Sequence, residues 1–184
     1  MIRYINGILS LGIIAVLWIH IIGDSCLLAG FIPFTFVFQN LGFIAAFLIL
    51  VHAAVSLVFV VQRLLKKTKQ YPAVNKAFII QHAAGLIMII AIALHIYAMK
   101  TGNPWGMLCG SPVLSFIVSA LLILSIAVHT IMGIPRAFIL LGLLKTKSGI
   151  KRLYAVSCAV VILPSVFSIL AFANYFLISL SGAL

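Results

Sequence analysis

Five long apolar runs, parted by short basic or Gly- and Pro-bearing breaks, decide what this chain can become. Read by eye they cover residues 4–23, 41–64, 77–99, 113–144 and 153–178. Each is long enough, at about 1.5 Å per residue, to cross a hydrocarbon core about 30 Å thick. Within lipid every backbone amide and carbonyl must be satisfied inside its own segment, which selects helices. A soluble domain could not bury a chain that is 65% hydrophobic and 7% charged. The expectation is therefore an all-α membrane protein, a single five-transmembrane-helix bundle spanning residues 1–184 in the cell inner or plasma membrane.

The charges say which way it runs. Eleven of the twelve basic residues fall on one side: Arg3, Arg63, Lys66, Lys67, Lys69, Lys76, Arg136, Lys145, Lys147, Lys151 and Arg152. Only Lys100 falls on the other. That split predicts N-terminus inside and C-terminus outside. A net charge of +11 could suggest nucleic acid. These charges sit in short clusters between apolar runs, however, and form no extended basic face to track a phosphate backbone. The first run follows Arg3 and could pass for a signal peptide. It lacks a small-x-small cleavage site and carries His20, so it is expected to be a retained helix.

The connections are less decisive. Phe31, Phe34, Phe36 and Phe38 make the I–II loop apolar, either a wedge in the headgroups or a lid over a lipophilic ligand. Gly102, Pro104, Trp105, Gly110 and Pro112 read as turns with an interfacial Trp. Cys26 and Cys109 would both lie outside, as two free thiols or a disulfide, and Cys158 would serve packing. Pro135 should kink helix IV so that 136–142 bends along the inner surface.

The chemistry sits in the histidines. All five fall inside predicted spans, where an unpaired imidazole is costly and marks a functional site. Counted from the nearest inner basic residue, His82 lies at roughly 9 Å depth, His129 at roughly 10 Å and His52 at roughly 16 Å. His20 and His95 lie at roughly 25 and 28 Å. The result is two levels: His20 with His95 toward the outside, and His129 with His52 or His82 toward the inside. Paired imidazoles at two depths suit two bis-histidine haems, which carry electrons and leave no open position for oxygen. Small neighbours leave flat space beside the rings: Ala53, Ala54 and Ser56 after His52, Ala83, Ala84 and Gly85 after His82, Ala91 before His95, and Gly133 one turn past His129. His52 is the sole histidine of its helix, whereas His82 shares helix III with His95 and faces about 220° away from it. The preferred inner pair is thus His52 with His129, and His82 is left as a supporting, propionate-binding or interfacial residue.

With one histidine on each of the first four of five helices, the chain resembles the single-chain, dihaem cytochrome b anchor subunit of succinate:quinone oxidoreductases and fumarate reductases. Two stretches carry the likeness, HIYAMKTGNPWG from His95 and HTIMGIPRAFILLG from His129. The 43-residue step from His52 to His95 suits the family, and the other two steps are short for it. The resemblance implies two b-type haems, with His52 and His129 as iron ligands of the inner one and His20 and His95 of the outer one. It also implies a quinone, menaquinone by family habit, near the outer haem. An iron–sulfur subunit and a flavoprotein subunit would dock inside and hold the dicarboxylate chemistry, and the whole complex could form a higher oligomer. The basic inner loops could help that docking, although topology alone explains them. Some relatives place acidic residues in the helices to move protons, and this chain has none there. Asp24, the only acid, is left as either a helix-end residue in water or a proton acceptor for quinol. A b-type anchor for a hydrogenase, formate dehydrogenase or flavoprotein reductase fits the same pattern. So does a haem-free transporter lined by histidines.

Overall fold

A computed structural model describes residues 2–33, 36–65, 72–101 and 108–181. Among them are α1 (Ile2–Leu28), α2 (Phe36–Leu65), α3 (Pro72–Thr101), a short 3-10 turn at Leu108–Gly110, α4 (Pro112–Leu140) and α5 (Lys147–Leu180). All five α-helices are long and apolar enough to cross a membrane. The chain is an all-helical, multi-pass membrane protein in its architecture.

The helix ends have local causes. α4 starts at Pro112, whose missing amide costs nothing in the first turn, and Ser111 caps it by accepting from the Leu114 amide at 3.3 Å. α1 ends where Gly30 takes φ 76°, with Phe31 N donating to Cys26 O at 2.9 Å and Gly30 N to Leu27 O at 3.0 Å. α4 ends the same way at Gly142, φ 73°, with Leu143 N on Phe138 O at 3.0 Å. Both are left-handed glycine stops of the Schellman type. The first span thus passes through Gly23, where sequence reading ended it. A glycine weakens a helix interior by about 1 kcal/mol but does not stop it. The fourth span ends four residues earlier than expected, because Gly142 stops it. Pro135, where a kink is expected from sequence, lies inside α4, and the helix runs on to Leu140.

α4 is the most buried span and packs against α3, α5 and α1. Among the described residues α2 is the least buried span and packs chiefly on α1. Between α2 on one side and α3 with α4 on the other, a cleft remains whose floor is α1. Ile13, Leu17, Ile21, Ala45, Ile49, Met88 and Ile126 form an apolar cluster at its middle. α5 lies behind, tied to α1 by a hydrogen bond of 2.8 Å between Ser25 Oγ and Ser168 Oγ, both fully buried. Large side chains such as Leu163, 74% exposed, coat the outside as lipid demands.

In the I–II connection, Phe34 lies outside the described residues, and Phe36 and Phe38 belong to the first turn of α2. Phe31 stacks on Phe167 of α5 at 6.4 Å between ring centroids. Phe31 is otherwise largely exposed, and it lines neither cavity of the cleft. Gly102, Pro104 and Trp105 lie outside the described residues. Cys26, Cys109 and Cys158 are free thiols.

Candidate functional site

The cleft is divided into two cavities, one toward each end of the bundle. The exposed Lys76, Lys145, Lys147, Lys151 and Arg152 mark one end as basic. The cavity toward this end has a volume of about 190 Å³, and the far cavity about 300 Å³. Leu17 and Ile49 line both, so the central apolar cluster is the wall between them.

His20 of α1 and His95 of α3 line the far cavity, together with Asp24 and Lys100. The Asp24 carboxylate sits 3.4 Å from His20 Nδ1, one turn along the same helix. Such a partner orients an imidazole and favours its proton on Nδ1, leaving Nε2 as the lone-pair nitrogen. Gly42 of α2 forms the wall against this ring. A Cβ built there would stand 2.8 Å from His20 Cε1 and 3.0 Å from Nε2. No other residue type fits at Gly42 with the ring where it is.

His52 of α2 and His129 of α4 line the basic-end cavity with Gly133. Their ring centroids are 6.4 Å apart and their planes are 88° to one another. An imidazole nitrogen binds a transition metal at about 2 Å, so two such bonds plus two ring radii add to about 6 Å. The centroid spacing is of that order, and the two rings meet edge to face. His129 Nδ1–H donates to the Gln81 carbonyl of α3 at 3.0 Å. Because a carbonyl only accepts, Nδ1 must carry the proton and Nε2 keeps the lone pair. His52 is held more loosely, with Nδ1 3.5 Å from Ser10 Oγ and Nε2 3.4 Å from Ser56 Oγ.

His82 lines neither cavity. Its Nδ1–H donates to Phe78 O at 2.8 Å, and its ring packs on Phe78 at 3.9 Å. Gly85 is a correction of neighbourhood: it lies against His129, with a built Cβ 3.1 Å from both Cε1 and Nδ1. Sequence reading had attached it to His82. Reading from sequence also passed over Gly42, Gln81 and two α5 rings, Phe172 and Phe176, which line the far cavity. Gln81 carried a visible signal, being an amide inside an apolar run. Arg136 was read as an interface marker. It lines the basic-end cavity and donates to Gln81 Oε1.

Among the described residues no three or more His, Cys, Asp or Glu side chains gather closely enough to hold a bare metal ion. Two imidazoles complete the coordination only of a metal that brings its other donors with it. Comparison of the chain with known protein families, curated proteins and solved structures yields no match.

Proposed function

We propose that this chain is the dihaem b membrane anchor of a succinate dehydrogenase or fumarate reductase complex, passing electrons between a membrane quinone and an iron–sulfur subunit. The observation that carries the reading is the pairing: each cavity is lined by two histidines from different helices, one pair toward each end of the bundle. His20 and His95 would hold one haem, and His52 and His129 the other. A haem iron with two axial imidazoles exchanges single electrons and leaves no position for oxygen. The 6.4 Å between the His52 and His129 rings agrees with such a ligand pair. The far cavity sits at the lower edge of the ~300–1,000 Å³ usual for small-molecule sites, and the basic-end cavity is smaller. Both belong to one cleft, which among the described residues α2 closes chiefly through its interface with α1.

This chain's own residues do the rest. The apolar side chains of Leu17 and Ile49 stand between the two cavities. Asp24, beside His20 in the far cavity, is the group that would take or give the quinol proton, and menaquinone is the quinone that the sequence resemblance suggests. The basic residues would put the N-terminus and the partner iron–sulfur and flavoprotein subunits on the cytoplasmic side. The quinone-reactive half of the enzyme would reside here, and the dicarboxylate half on those partners.

A dithionite-reduced spectrum of the chain purified with haem supplied tests the reading. A b-type band with about two haems per chain is expected. A chain that purifies without haem under those conditions overturns the proposal in favour of a histidine-lined transporter. Co-purification of a hydrogenase or formate dehydrogenase subunit in place of a succinate- or fumarate-linked one would reassign the partner.

A further inference from the structure

α3 meets His129 with main chain. The ring Nδ1–H reaches the Gln81 carbonyl, and it can do so because Gly85, one turn further along the same face, has no side chain. A Cβ at Gly85 would press on the two ring atoms nearest that bond, at 3.1 Å each. A carbonyl oxygen has two lone pairs, so this one can accept from the ring while keeping its place in the helix ladder. Arg136, seven residues beyond His129 on α4, donates to the side-chain oxygen of the same Gln81. One residue of α3 is thus gripped by α4 at both its main chain and its side chain.

We propose that the Gln81–Gly85 turn is a positioning notch that fixes His129 in its Nδ1–H tautomer, so that Nε2 is the nitrogen offered to a metal, with Arg136 clamping the notch through the Gln81 amide. The tautomer follows from the contacts alone, and the haem it serves rests on the proposed function. A main-chain acceptor on Nδ1 orients the ring and makes Nε2 a stronger ligand, and loss of such an outer partner typically costs about 10–100-fold in metal affinity. Because Ala is a better helix former than Gly, G85A disturbs the ring and leaves the helix intact.

The test uses the full chain in lipid nanodiscs, with and without haem supplied. With haem, G85A is expected to weaken one of the two haems by about 10–100-fold and spare the other. Gln81→Ala keeps the carbonyl and removes only the clamp. It is expected to retain both haems while shifting the midpoint potential and electron-paramagnetic signature of one. Without haem, nitrogen NMR of histidine-labelled protein is expected to show His129 as the Nδ1–H tautomer in the parent and as a mixture in G85A. Retention of two unaltered haems in G85A, or an Nε2–H tautomer at His129 in the parent, overturns the notch. A parent chain that takes up no haem overturns the proposed function instead, and the NMR result then decides the notch by itself.

Discussion

Replacing Gly42 by Ala adds a single methyl group, and the structure says what that methyl must displace. Its carbon would stand 2.8 Å from His20 Cε1, whereas ordinary contact begins at 3.4 Å. To reach ordinary contact the ring, or α2, must retreat by about the difference, 3.4 − 2.8 = 0.6 Å. Metal–ligand bonds tolerate only about ±0.2 Å, so under the proposed function a ring moved by three times that amount would no longer match His95 across a shared haem iron. A loss of about 10–100-fold in affinity at the far cavity is expected, about 1.4–2.8 kcal/mol. The assay is haem stoichiometry and the reduced-minus-oxidised spectrum of G42A, titrated with haem. Occupancy of the far site should fall first while the His52–His129 site stays filled. Ala is favoured over Gly inside a helix, so misfolding of α2 does not offer a second explanation. Two haems bound with parental affinity in G42A would refute the reasoning, because then His20 is not held where a ligand must be.

His52→Ala is expected to lose the basic-end haem, whereas His82→Ala keeps both, since His82 lines neither cavity; the two spectra compared side by side decide it. Asp24→Asn keeps an oxygen that can accept from His20 Nδ1–H, so it is expected to hold both haems while lowering quinol-linked turnover by about 10²-fold or more, the usual worth of a positioned proton-transfer group. Unchanged turnover would return Asp24 to a purely orienting role beside His20. Ser168→Ala removes the α1–α5 hydrogen bond and is expected to cost about 0.6 kcal/mol, read as a small loss of resistance to detergent unfolding.

Much of the architecture was legible because lipid simplifies the problem: length, hydropathy and basic breaks locate the spans with no knowledge of packing. Histidine depth, counted as rise along a helix, also assigned the ring pairs to the two ends of the bundle. What depth cannot give is azimuth across helices. Nothing in the sequence singles out Gly42, and only its facing α1 reveals it as the wall behind His20. Gly85 was attached to the histidine nearest in sequence, yet it serves one 44 residues away on another helix. Arg136 reads as an end-of-span cation in one dimension; in three it reaches back to Gln81. Helix ends were misplaced for a different reason. A glycine stops a helix only when it turns left-handed, as Gly30 and Gly142 do and Gly23, deep in α1, does not.

Among the described residues α2 meets the rest of the bundle chiefly along α1, with Ala45 and Ile49 reaching the central apolar cluster, which leaves it a panel held mainly on one side. Any molecule seated in the cleft would add contacts to α2 on the face it turns to α3 and α4. Ligand uptake and tightening of the bundle then become a single equilibrium: each tenfold rise in free ligand above its dissociation constant adds about 1.4 kcal/mol of resistance to opening. Protease sensitivity of the connections flanking α2 would report cleft occupancy directly, without any spectroscopic handle on the occupant.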